Sequence, residues 1–248
     1  MVFQFARDLS SELLDVDRLF KKSILPWWRE IETYRELIKL DHTWRALPAV
    51  VLSIYRGTGL NREFCISMAN IFKILYLSVF IHELIKDDEE GQEYNQDMQF
   101  SILIGDYMFG RILALLIEAE ADMLLPIFAD MICEINEGMV KRYKLGGSQA
   151  EFVESRRASF YKTAFLTAAF CAGKDTEEQG CFREAGYKLG MALELLQEEG
   201  LREEALSFLG DSEKLLSPEQ GSRISTSMGP IYEEMRCLLT ASNKLAVV

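Results

Sequence analysis

The sequence predicts an all-α protein, a bundle of long helices with several of them buried inside it. Three observations carry that expectation. Apolar residues recur at i, i+3, i+4 spacing almost throughout the chain. Nowhere do alternating runs bounded by turns build a sheet. Several helical segments, IFKILYLSVFI above all, are apolar on most faces, and a helix of that kind needs neighbours on every side.

The elements follow in order. In LSSELLDVDRLFKKSIL the stripe Leu9, Leu13, Val16, Leu19, Phe20 defines a first helix, with Ser10 or Ser11 as candidate cap and Pro26 at its end. WWREIETYRELIKL begins another directly after that proline, a residue suited to a helix entrance. RGTGLN at 56–61 is a turn, and a long apolar helix spans about 62–86. EEGQEYNQD is a polar loop before helices over about 98–117 and 122–144, the second stopped by Gly146–Gly147. Segment 150–173 is helical, GKDTEEQG is a connector, and 180–198 is helical again. The last third is expected to be loop-rich through FLGDSEKLLSPEQGSRISTSMGP and to end on the helix IYEEMRCLLTASNKL. No repeat of fixed period is present.

Composition narrows the function classes. A chain of 248 residues, 49% hydrophobic and with only 5 prolines, suits one domain over 1–248 around one core. The net charge of −12 repels nucleic acid and anionic lipid, which need a basic stripe. Lys21–Lys22 and Arg156–Arg157 are expected to be ordinary helix surface. The five cysteines, at 65, 133, 171, 181 and 237, are odd in number and contain no CxxC. That excludes a disulfide framework and a zinc site, and Cys65, Cys133 and Cys171 are expected to be buried free thiols in a reducing compartment. The N-terminus carries acids early and no signal pattern. Lys73, Asp106 and Arg111 interrupt the longest apolar runs, so no membrane span and a cytoplasmic location are expected.

The chemistry-bearing residues are few. The helix over 62–86 runs into IHELIKDDEE, where Glu83 and Asp87 lie i, i+4 on one helical face. Two such carboxylates suit Mg2+, which prefers hard oxygen ligands; the solvated acidic end of a core helix has the same sequence. HExxH is absent because position 86 is Lys. Lys162 puts a cation into the otherwise apolar run around YKTA, where it needs an anion: an internal carboxylate and a diphosphate both satisfy it. Glycines inside helices, in GDYMFGR and EINEGMV, each cost ~1 kcal/mol and point to close helix packing. His42 stands alone as a surface or capping residue.

The order of these pieces resembles a family. His82 and Glu83 followed by Asp87, then IGDYMFGR, INEGMV, YKTA and AGYKLGMALELL, over about residues 40–200, resemble the trans-isoprenyl diphosphate synthases, or polyprenyl synthetases. The resemblance implies a helical bundle of the isoprenoid (terpenoid) synthase type. It further implies Mg2+ held by two facing aspartate-rich motifs, an allylic diphosphate, and head-to-tail addition of isopentenyl diphosphate. It also implies pairing through large helical faces, in some cases of a catalytic with a non-catalytic homologous subunit.

The departures from the pattern carry most of the information. The first motif, DDxxD, falls on Glu83, Leu84, Ile85, Lys86 and Asp87, and the arginines that follow it in the family fall on Gln92 and Glu93. The basic GKRxRP motif falls on residues 43–48, where Arg45 and Pro48 keep the pattern. The histidine position is Tyr76, while Lys162 and Thr163 match the family's diphosphate-contacting KT pair. The second motif, FQxxDDxxD, falls on residues 193–201, with Glu198 as the aligned acid. The resemblance thus leaves Arg45, Lys162 and Thr163 as residual diphosphate-binding candidates, and Glu83, Asp87 and Glu198 as a depleted metal set.

Ionising an allylic diphosphate requires the charge on the leaving group to be offset, and one lost electrostatic donor costs about 3 kcal/mol. Losing several together disables the reaction. The expectation is therefore a polyprenyl synthetase-like pseudoenzyme that pairs with itself or with a catalytic prenyl synthase, its last third, about 205–248, divergent or shortened. The alternatives are an active Mg2+-dependent prenyltransferase and a carrier that binds a prenyl diphosphate or its chain.

Overall fold

The computed structural model describes residues 3–85, 96–145, 157–196, 200–216 and 222–241, with backbone alone for 96–98, 142–145, 222 and 241. The all-α expectation holds: among the described residues there are ten α-helices, two short 3-10 turns and no strand. The helices are α1 Ser10–Ser23, α2 Trp28–Ile38, α3 His42–Gly57, α4 Arg62–Glu83 and α5 Gln96–Glu118. They continue as α6 Leu125–Leu145, α7 Ser159–Cys171, α8 Thr176–Leu195, α9 Arg202–Leu215 and α10 Ser222–Ala241.

Helix α4 lies inside the bundle because its apolar residues leave no polar face of any width. Fourteen of its side chains are buried, from Cys65 to Ile81, and α1, α2, α3, α5 and α7 pack around it. Helices α7 and α8 form the second close pair, α9 covers α8, α6 packs on α7, and α10 lies across α3 and α9. The contact between α7 and α8 is made by glycine. A Cβ at Gly186 would stand 2.4 Å from the Tyr161 carbonyl, and one at Gly190 would stand 2.9 Å from Ala158 Cα.

The helix starts are written locally. Asp41 accepts from Trp44 N at 2.8 Å to cap α3, and Asn61 caps α4 by accepting from Phe64 N at 2.8 Å. Asp175 and Glu178 make a reciprocal capping box at α8. The segment expected as a connector is therefore the start of α8, four residues ahead of the expected boundary.

Several expectations are corrected. Neither Ser10 nor Ser11 caps α1: the N-cap is Leu9, without a side-chain bond. The stretch expected to be loop-rich holds the second half of α9 and the start of α10, which runs on through Pro230. The polar residues that suggested loops have helical partners: buried Ser212 donates to the Ala185 carbonyl at 2.7 Å and lies 2.8 Å from Tyr232 Oη. Of the three cysteines expected to be buried, Cys65 is, Cys171 is half-buried and Cys133 is exposed.

Among the described residues, two helices have the length and composition of a membrane span, their isolated charges notwithstanding. In Arg62–Glu83 the apolar window is 78% buried within the protein, as befits a core helix. In Gln99–Glu118 it is 33% buried, so α5 turns an apolar face outward.

Candidate functional site

The acidic end of α4 is where the sequence directs attention. The helix stops at Glu83, with Leu84 as its C-cap. Glu83 is half-buried there. Asp87, together with Lys86, Asp88, Glu89, Glu90, Gln92 and Glu93, lies outside the described residues, as do Gln197, Glu198 and Glu199. His82, one residue earlier, turns to α5: its ring stacks on Phe109 at 5.4 Å, and Nε2 lies 3.5 Å from Asp106 Oδ1. A Cβ at Gly105 would collide with that ring, so this glycine is explained by His82. Burial lowers the pKa of His82, with Asp106 opposing. Among the described residues no group of three or more His, Cys, Asp or Glu side chains is placed to hold a metal ion. Of the acids that the sequence offers as Mg2+ ligands, only Glu83 lies among the described residues.

Lys162, whose sequence context admits either an internal carboxylate or a diphosphate, is paired within the chain. It projects from α7 and its Nζ bonds both carboxylate oxygens of Glu134 on α6, Oε1 at 2.6 Å. The pair is half-buried. Thr163 is buried beside it in sequence, its carbonyl accepting from Thr167. Arg45 is held elsewhere, its Nε donating to the Lys39 carbonyl at 2.7 Å. Among the described residues, these hydrogen bonds of Lys162, Thr163 and Arg45 run to different partners.

The cluster that does form includes residues the sequence reading passed over. Arg157, expected at the surface, is largely buried, its side chain 21% exposed. Its Nη1 lies 2.9 Å from Glu194 Oε2 on α8 and its Nη2 3.1 Å from Asp41 Oδ2 at the start of α3. Thr43 donates to the other Glu194 oxygen, and Tyr76 Oη donates to Asp41 Oδ1 at 2.8 Å. Tyr161 Oη is fully buried and close to Thr43 without a well-formed hydrogen bond. Burial raises the pKa of Glu194, against the opposing pull of Arg157 and Thr43. Burial also works against the charge on Arg157, yet Tyr76, Glu194 and Asp41 together hold its pKa above the ordinary value.

One signal for this cluster was present in the sequence. Glu194 is a single acid in the apolar run MALELL, the mirror image of Lys162 in its own helix. Two hollows of about 150 and 160 Å³ open elsewhere, one beside Asn70 and Leu115, the other beside Leu9 and Pro230.

Comparison with known proteins sets this geometry in context. No family model matches the chain. Over 167 residues it is 22% identical to the octaprenyl diphosphate synthase of Haemophilus influenzae, covering 62% of this chain and 51% of that protein. The chain spans about half the length of the curated relatives it matches. In structure it is similar to a decaprenyl diphosphate synthase from Rhodobacter capsulatus, with a TM-score of 0.75 at 14% identity over 95% of this chain and 98% of the other. It is also similar to the small subunit of geranyl diphosphate synthase from Antirrhinum majus, with a TM-score of 0.71 at 15% identity over 94% and 100%. Sequence relatives and fold agree with the resemblance read from the motifs: the chain is similar to the trans-isoprenyl diphosphate synthases, or polyprenyl synthetases, and has their all-α fold.

Proposed function

We propose that this chain is a catalytically degenerate subunit of isoprenoid biosynthesis that pairs with an active prenyl diphosphate synthase, or with itself, in the cytoplasm. It stabilises its partner or tunes the length of the prenyl chain made. The observation that carries this reading is the Lys162–Glu134 pair. The cation that matches the family's diphosphate contact is already neutralised by a carboxylate of the same chain. Leu84 and Leu201, apolar residues at two acid positions of the motifs, point the same way.

The outward face of α5 supports pairing. Leu103, Asp106, Gly110, Leu113 and Ile117 follow a 3–4–3–4 spacing, which lines one side of a helix. The three large apolar residues among them are 66%, 47% and 60% exposed. Among the described residues a Cβ at Gly110 would meet nothing within 4 Å, so no packing between them accounts for this glycine. Exposed apolar surface of this extent marks an interaction site. The small subunit from Antirrhinum majus supplies a structural neighbour of the kind proposed.

The test is prenyl transfer by the purified chain alone, then together with a catalytic synthase. Labelled isopentenyl diphosphate is supplied with dimethylallyl, geranyl, farnesyl or geranylgeranyl diphosphate in excess Mg2+. The expected result is no elongation by the chain alone, and a stable assembly with altered yield or chain length when the synthase is present. Robust elongation by the chain alone, abolished in Glu83→Ala or Asp87→Ala, overturns the reading.

A further inference from the structure

The Asp41–Arg157–Glu194 cluster has the construction of an oxyanion site. Its donors come from three parts of the fold: the segment leading into α7, the first turn of α3, and α4. They are both Nη atoms of Arg157, the Thr43 and Tyr76 hydroxyls, and the Trp44 N–H at the N-terminus of α3. The Tyr161 hydroxyl, buried and without a well-formed bond, adds a donor beside them. A guanidinium, converging hydroxyls and a helix N-terminus are the groups that bind phosphate oxygens, and the same groups bind carboxylates. Here the acceptors are the protein's own: the Glu194 carboxylate on the inner side and Asp41 on the side nearer solvent.

We propose that this cluster is an oxyanion site occupied from within, the Asp41 and Glu194 carboxylates standing where the oxygens of a phosphate or diphosphate would otherwise bind Arg157. An intramolecular carboxylate competes at a high effective concentration, so free diphosphate does not displace it. The cluster ties the start of α3 to α4, α7 and α8 without any ligand. The inference concerns this chain alone and holds whichever partner it has.

The experiment is a gain of binding, read by calorimetry with inorganic pyrophosphate at constant ionic strength. Glu194→Ala removes the inner carboxylate, leaves Arg157 under-compensated and opens space beside it. The expected result is pyrophosphate affinity at least about tenfold tighter than that of the wild-type chain, and loss of that gain in Glu194→Ala/Arg157→Met. Should Glu194→Ala fail to fold by circular dichroism, Asp41→Asn gives the same readout, because Asn caps a helix as well as Asp does and α3 keeps its start. The proposal is overturned if the wild-type chain already binds pyrophosphate as tightly as the folded variant. It is equally overturned if the variant gains nothing, or if its gain survives the loss of Arg157.

Discussion

Lys162 Nζ lies 2.6 Å from Glu134 Oε1, so a cation on α7 and a carboxylate on α6 neutralise one another where the two helices pack. Both side chains keep partial contact with solvent, 25% and 37% exposed. A pair of this exposure contributes up to about 1 kcal/mol. Lys162→Met is therefore expected to fold, to lose no more than that in urea denaturation, and to leave the turnover of a mixed assembly unchanged. A large drop in that turnover would place Lys162 on a diphosphate and contradict its structural role.

Arg157 is a different case, because its partners lie deeper. Replacing it with Met leaves Glu194 buried without its cation and Asp41 with hydroxyl and amide donors alone. Breaking a buried pair on one side costs about 3–5 kcal/mol, so Arg157→Met is expected to be among the most destabilising single changes in the chain. The triple variant Asp41→Asn, Arg157→Met, Glu194→Leu removes the charges together and is expected to recover most of the loss, since apolar replacement of a whole buried network is often neutral. Equal instability of the single and triple variants, measured by chemical denaturation, would show that shape and not charge sets the cost.

The glycines divide into two kinds that substitution separates. At Gly186 a methyl group meets the Tyr161 carbonyl and the Phe165 side chain, neither of which has room to retreat between two packed helices. Overpacking of this sort costs about 1–3 kcal/mol, and Gly186→Ala is expected to fall at the upper end. Gly110→Ala meets open space and gains the helix preference of alanine, so the isolated chain is expected to become more stable by up to about 1 kcal/mol. Thermal melts of the two variants should move in opposite directions.

His42 gives the chain an acid-sensitive element. Burial holds the His42 pKa below its ordinary 6.5, with the Asp41 charge opposing, while Arg45 and Arg157 add to the lowering. The unfolded imidazole takes up a proton more readily than the folded one. Its contribution to stability is therefore present above about pH 6.5 and lost as pH falls through the lowered value, at no more than about 1.4 kcal/mol per pH unit. His42→Gln is expected to flatten this part of the stability profile between neutral and mildly acidic pH. An unchanged slope in urea melts would assign the acid sensitivity to other groups.

The bundle was legible because its signals are local. The apolar run of α4, the turn before Asn61, and the charge pattern of each amphipathic helix all act within a few residues. The capping box at Asp175 and Glu178 is equally local, yet GKDTEEQG is polar throughout and its composition points to a connector. Ser212 and Pro230 misled for the opposite reason: their helical setting depends on neighbours across the bundle, Ala185 and Tyr232 in the case of Ser212. At the candidate site, Lys162 could be singled out as a lone charge in an apolar helix, but not its partner on α6. Arg157 was hidden most completely. It stands 37 positions from Glu194 in the chain and further still from Asp41, and only the packing of α7 on α3 and α8 turns a surface-looking pair of arginines into a buried cation.

The exposed stripe on α5 yields the prediction that bears most directly on pairing. Leu113 and Ile117 reach solvent, and changing an exposed residue away from caps and ion pairs alters stability by about 0.5 kcal/mol or less. Leu113→Glu and Ile117→Glu are therefore expected to melt as the parent chain does. In an interface, the same changes bury a carboxylate without a partner, and central apolar contacts carry about 2 kcal/mol or more. Association with a catalytic synthase, or of the chain with itself, should weaken by at least about tenfold in sedimentation. Gly110→Leu tests the stripe from its middle: bulk is tolerated on an open surface but separates two helices packed at that glycine. If all three variants associate as the parent does, the partner sits on another face and the apolar side of α5 serves some other contact.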